Sequence, residues 1–214
     1  MKIAIMAVPE RASYVADIKR RLPDAVVYED TRHQGALISM EKILADHVSS
    51  GVLILQDDVV VPCWFLDELG KAWISDRHMS FFYRSPKQVP LYERGYSYVS
   101  VRKPWGQANY FPAEFIRAYL EWTKIGPEIV QRGGVRDTKK RYVDWDDGSV
   151  WKFMQHSKRL ALLTLPNLVN HRNVKSSQGH SRSLKQEHAW VSPVFGKGLL
   201  RPWNKTVVTQ LPVI

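Results

Sequence analysis

An α/β fold, a mostly parallel central sheet flanked by helices, is predicted by three features of this sequence. Short aliphatic runs alternate with amphipathic stretches at helical spacing through the first sixty or so residues. The run Val52 to Leu55 has no polar side, as a strand covered on both faces requires. It stops at two adjacent carboxylates, Asp57 and Asp58, which therefore sit at the strand's C-terminal end. Three strands joined by two helices form right-handed crossovers, which bring all three strand tips to one edge.

Ile3 to Val8 is the first strand, closed by Pro9 and followed by a polar loop with Arg11. From Ser13, an N-cap by type, Val15, Ile18 and Leu22 recur at helical spacing until Pro23. Ala25 to Tyr28 make a second strand that ends on Glu29 and Asp30, and Leu37, Met40, Ile43 and Leu44 mark a second helix towards Val48. Beyond the third strand, Trp64 to Ile74 is predicted as a helix, Ser80 to Tyr83 as a strand, Ser85 to Pro90 as a loop and Tyr96 to Val101 as a strand. Trp105 to Pro112 leads into a helix over Ala113 to Trp122, with Pro112 at its first turn. Gly, Lys and Arg dominate between Gly126 and Arg141, the composition of a basic loop. Asp144-Trp-Asp-Asp147 ends that loop, and Val150, Trp151, Phe153 and Met154 continue as an amphipathic helix. Arg159 to Leu165 is the last expected strand, leading through Pro166 to His171. The organisation expected is one domain over 1–190, with halves 1–85 and 86–190, and a C-terminal tail over 191–214.

Composition narrows the partners. A chain of 214 residues can bury one sizeable core. Lys and Arg number 31 against 21 acidic residues, a formal charge of +10, so the mean field attracts anions: nucleotides, nucleic acid or anionic glycolipid. The single cysteine, Cys63, excludes an internal disulfide and, among apolar neighbours, is expected to be a buried, inert thiol. The N-terminal apolar run meets Pro9 too early for a signal peptide, and no other run approaches the ~18 residues of a membrane span. A soluble, cytoplasmic protein is expected.

The chemistry centres on Asp57 and Asp58. Two hard oxygen donors at the C-terminal end of a buried strand suit a divalent cation such as magnesium or manganese, at the edge where open α/β sheets bind ligands. A solvated Asp-Asp turn is the alternative. Absent motifs discriminate: no G-x-x-x-x-G-K-[ST] loop precedes the pair, no G-x-G-x-x-G follows the first strand, and no C-x-x-C, H-E-x-x-H or G-x-S-x-G occurs. P-loop ATPases, dinucleotide oxidoreductases, recognisable zinc sites and α/β-hydrolases lose their support.

The N-terminal βαβαβ half, Gln56-Asp-Asp58-Val at a strand end and a late Pro166-x-Leu-Val-x-His171 together resemble a nucleotide-sugar glycosyltransferase of the Rossmann-like GT-A fold, over roughly residues 2–180. The resemblance implies that 1–85 binds the nucleotide sugar and 86–190 the acceptor. It implies that Asp58 holds manganese or magnesium on the donor diphosphate with Asp57 beside it, and that His171 completes the metal shell. Gln56 stands where the D-x-D motif has its first acid, and the resemblance places Gln56 and Asp57 on the nucleotide sugar. Val8, Pro9, Arg11 and Asp30 would contact the nucleotide, with uridine the default. Trp105 and Gly106 would line the donor-sugar side, and Lys175, Ser176 and Arg172 would close on the diphosphate. Asp146 and Asp147 resemble the acidic pair that takes the acceptor proton, with Asp147 slightly favoured.

Small, basic enzymes of this look resemble bacteriophage glycosyltransferases that modify 5-hydroxymethylpyrimidines in DNA, while others build bacterial surface glycans. The surplus cations Lys139, Lys140, Arg141, Arg172, Arg182 and Lys185 lie either side of the expected site and make DNA the favoured acceptor. A metal-dependent nuclease or a non-catalytic nucleic-acid-binding module would use the same basic surface and acid cluster.

Overall fold

A computed structural model describes residues 1–82, 88–104, 106–125, 134–136, 142–144, 146–172 and 207–209. Strands β1 (Lys2–Ala7), β2 (Val26–Glu29) and β3 (Val52–Gln56) are linked through α1 (Ala12–Arg21) and α2 (Ala36–Asp46). There follow β4 (Val59–Val60), α3 (Phe65–Ala72), β5 (Met79–Ser80), α4 (Gln88–Glu93), β6 (Tyr98–Val101), β7 (Ala108–Phe111) and α5 (Ala113–Ile125). The remainder comprises β8 (Gly134–Arg136), β9 (Tyr142–Asp144), α6 (Asp146–His156), β10 (Ala161–Thr164), β11 (Asn170–His171) and β12 (Val207–Thr209).

Eight strands form one sheet in the order β12-β6-β10-β5-β7-β3-β1-β2. β1 pairs in parallel with both β2 and β3, as the crossover rule requires, so the tips of the three strands share an edge. The sheet is mixed: four of its seven pairings are parallel, in keeping with the expected mostly parallel sheet, while β7 runs antiparallel between β3 and β5, and β6 runs antiparallel to β10. An antiparallel neighbour needs no crossover helix, so β7 can enter the sheet from a turn and lead straight into α5. The segment 191–214, expected as a tail, contributes β12, which extends the sheet beside β6. The expected basic loop contains β8 and β9, which pair as antiparallel strands. Residues 88–93, partly within an expected loop, form α4.

Alternation along the buried strands divides the core in two. Ala4, Met6, Val52 and Ile54 face a layer made by α2, α5 and α6, with Leu37, Ile43, Phe115, Tyr119 and Phe153 at its centre. Ile5, Ala7, Leu53 and Leu55 face the opposite layer, where Ile18 of α1 and Phe65 and Leu69 of α3 pack. Helices on both faces explain why Val52 to Leu55 carry no polar side chain. Cys63, expected buried, is exposed: it lies between β4 and α3, outside both layers. No described helix is long and apolar enough to cross a membrane.

Gly51 fixes the entry into β3. Its φ is +70°, and a Cβ there would come 2.9 Å from the Phe111 carbonyl oxygen and 3.0 Å from the Tyr110 hydroxyl. Left-handed strain and a backbone clash act together, so Gly51→Ala is expected to lower unfolding free energy by about 1–3 kcal/mol. An unchanged urea midpoint would refute this account of the β3 entry.

Candidate functional site

The tips of β1 and β3 meet at an ion-pair cluster. Register pairs Met6 with Gln56, and the Asp57 N–H donates to the Met6 carbonyl at 3.0 Å, which sets the two carboxylates beside the loop after β1. Pro9 begins a single 3-10 turn, Pro9–Arg11, which turns Arg11 inward. Arg11 Nη1 lies 2.6 Å from Asp57 Oδ1 and 3.1 Å from Asp58 Oδ2, and all three residues are buried. The Val8 N–H donates to Asp57 Oδ2 at 3.0 Å. Each Asp57 oxygen therefore has a partner from the loop after β1, and Asp57 acts as a latch on that loop. Burial works against the charge on Arg11, but the two carboxylates outweigh it and hold the guanidinium above its usual value. Arg11 and Asp57, both expected at the nucleotide, thus engage each other.

Asp58 differs from Asp57. β11 pairs antiparallel with β4, with His171 opposite Val59, and the Arg172 N–H donates to the Asp58 carbonyl at 2.7 Å. This small ladder carries His171 across 113 residues of sequence to within 3.3 Å of Asp58 Oδ2. Burial raises the affinity of Asp58 for a proton, but His171 and Arg11 outweigh it and keep the carboxyl below its ordinary range. Its other oxygen, Oδ1, is buried with no hydrogen-bond partner. An ionised carboxylate with one uncommitted oxygen beside an imidazole fits a divalent ion of the manganese type, which accepts nitrogen as well as oxygen. Among the described residues no three His, Cys, Asp or Glu side chains are grouped to hold an ion unaided. Asp58 and His171 would leave further positions to the oxygens of a ligand such as a diphosphate.

Asp146 is the first residue of α6, where the helix dipole favours a carboxylate. It is 8% exposed and accepts a hydrogen bond from Gln56 Nε2 at 3.0 Å. Gly106 lies against the same pair, with no room for a side chain. Asp147 shares the helical turn, and its side chain lies outside the described residues. Of the acidic pair, Asp146 is the member whose side-chain setting the described residues give.

Asp30 sits at the tip of β2. Its N–H donates to the Ala7 carbonyl at 2.8 Å, tying the β2 loop to β1. Its carboxylate accepts the N–H groups of Gln34 at 2.9 Å and Gly35 at 2.8 Å, which orders the entry to α2. A cleft of about 380 Å³ opens there, lined by Tyr28, Glu29, Asp30, Arg32, Gln34 and Lys42 among others, a volume within the range of small-ligand sites. Arg32 and Lys42 were not singled out from the sequence, where they are two of many scattered cations. Arg172, expected on a diphosphate or nucleic acid, is instead bound to α1: its Nη2 lies 2.8 Å from Asp17 Oδ2 and its guanidinium 4.8 Å from the Tyr14 ring. Trp105, Lys139, Lys140, Arg141, Lys175, Ser176, Arg182 and Lys185 lie outside the described residues.

No protein-family model matches this chain, and neither does any curated protein sequence.

Proposed function

We propose that the protein is a metal-dependent glycosyltransferase that moves a sugar from a nucleotide sugar, with uridine the default nucleoside, to a hydroxyl acceptor. The observation that carries this reading is the uncommitted, buried Oδ1 of ionised Asp58 beside His171, at the shared edge of β1, β2 and β3. A divalent cation held by Asp58 and His171 would supply Lewis-acid stabilisation of the departing diphosphate. The cleft beside Asp30 has the size for a nucleoside, and Arg32 and Lys42 on its wall suit an anionic ligand. Asp57, bound to Arg11 and the Val8 N–H, holds the loop after β1 over the strand tips.

In an inverting transfer the acceptor oxygen bonds to the anomeric carbon while the bond from that carbon to the diphosphate oxygen breaks. The electron pair leaves with the nucleoside diphosphate, and the hydroxyl proton passes to a carboxylate opposite the leaving group. Asp146 is the residue proposed to take it. This assignment of roles, together with the order of motifs along the chain, supports a GT-A fold.

The acceptor proposed is a 5-hydroxymethylpyrimidine in DNA. A formal charge of +10 exceeds what one diphosphate needs, and a duplex backbone would use the surplus. The target base would have to leave the stack to reach the donor. The experiment incubates the protein with manganese, a panel of labelled nucleotide sugars and duplex DNA containing 5-hydroxymethylcytosine or 5-hydroxymethyluracil, then digests the DNA to nucleosides for mass spectrometry. Sugar is expected on the base, with DNA affinity falling steeply between 50 and 200 mM salt, ~10-fold or more. Transfer to a lipid-linked or oligosaccharide acceptor instead would establish a glycan-building enzyme. Cleavage of the DNA without use of any nucleotide sugar would replace the transferase by a nuclease.

A further inference from the structure

Gln56 departs from the D-x-D pattern that the surrounding residues resemble, and its surroundings give a physical reason. It is the last residue of β3, and its N–H donates to the Gln107 carbonyl at 2.9 Å, which fastens the turn holding Gly106 to the end of the strand. Its side-chain Nε2 donates to Asp146 Oδ2 at 3.0 Å across 90 residues of sequence. A Cβ on Gly106 would come 2.9 Å from Asp146 Oδ2, 3.1 Å from Asp146 Oδ1 and 3.0 Å from Gln56 Nε2. Three segments therefore close on one carboxylate: the end of β3, the turn before β7 and the first turn of α6. The backbone of Gly106 is outside the left-handed region, so space rather than conformation demands glycine there.

We infer that Gln56 is a positioning residue for Asp146, aiming its carboxylate at the acceptor, and that Gly106 leaves the room this contact needs. The inference rests on the transferase reading. A glutamate at position 56 would set a second carboxylate about 3 Å from Asp146, where two like charges resist joint ionisation, and the shorter aspartate would not reach it. Glutamine supplies a donor of the same reach without charge. The amide donates to Oδ2 and helps to fix the orientation of the carboxylate. Because the next two residues of the same strand end are Asp57 and Asp58, the Gln56 contact couples the proposed metal strand directly to the helix that carries the proposed base. The role inferred for Gln56 thus lies with Asp146.

The test is a double-mutant cycle on the full chain with Gln56→Leu, Asp146→Ala, which removes the acceptor of the contact, and both together. Unfolding free energy by urea is read first, then kcat and KM for a nucleotide sugar with manganese. Gln56→Leu should lower kcat about tenfold or more with KM for the donor within about twofold, and the same change should cost almost nothing in the Asp146→Ala background. Gly106→Ala, with glutamine still in place, should reproduce the kcat loss. Independent effects of the two substitutions on unfolding would show that the contact is absent and overturn the inference. Coupling in unfolding without coupling in kcat would reduce Gln56 to a strut, which also overturns it. No turnover by the wild-type chain with any nucleotide sugar defeats the transferase reading itself, and coupling in unfolding would then still establish the Gln56–Asp146 contact.

Discussion

Asp58→Asn should abolish manganese-dependent turnover of the sugar nucleotide while leaving the chain folded. The substitution keeps the shape of the side chain and removes its charge, so a cation loses its anionic protein ligand and the departing diphosphate loses several kcal/mol of stabilisation. A loss of ~10³-fold or more in kcat/KM corresponds to about 4 kcal/mol of that effect. Folding should survive because the shorter contact of Arg11, at 2.6 Å, is to Asp57, which remains. Asp57→Asn is expected to behave in the opposite way. It leaves a buried guanidinium without its main counter-charge, a change that costs about 3–5 kcal/mol of stability for buried pairs. Calorimetric titration of manganese in the presence of a uridine diphosphate, alongside urea unfolding and turnover, separates the two variants. Wild-type rates from Asp58→Asn, or from the wild-type protein in excess chelator, would remove the metal from the mechanism.

That contrast marks how far the sequence alone could reach. Val52 to Leu55 announce a strand buried on both faces because nothing polar interrupts them, and the carboxylates at its tip and the crossover to β1 follow from local pattern, whereas the late His171 was singled out by the family resemblance alone. Which carboxylate is committed does not follow. Asp57 and Asp58 are adjacent and identical in type, and only the 3-10 turn after β1 decides that Arg11 and the Val8 N–H engage Asp57 fully while Asp58 keeps an oxygen free. β7 escaped for a different reason. Ala108-Asn-Tyr-Phe111 has four buried residues but no alternation, and Gly106 and Pro112 on either side imitate a loop. The Gln56–Asp146 contact was out of reach as well, since two polar side chains 90 residues apart leave no periodic signal.

Asp146→Asn should lower kcat by ~10²-fold or more with donor KM nearly unchanged. Asparagine can still accept the Gln56 amide proton through its own Oδ1, so the contact and the start of α6 are preserved and what is lost is the capacity to take a proton. The stability cost should be small, about 0.3–1 kcal/mol, from removing a negative charge at the helix N-terminus. Steady-state kinetics at saturating donor, with product nucleoside diphosphate measured directly, separates loss of proton transfer from loss of binding, because a binding defect would raise KM and spare kcat. Asp147→Asn, made in parallel, decides between the neighbours. If Asp147→Asn eliminates turnover while Asp146→Asn retains it, the proton goes to Asp147 and the packing of Gln56 and Gly106 around Asp146 is architectural. If both variants turn over at the wild-type rate, the base belongs to another segment, and the coupling between the metal strand and α6 has no part in the chemistry.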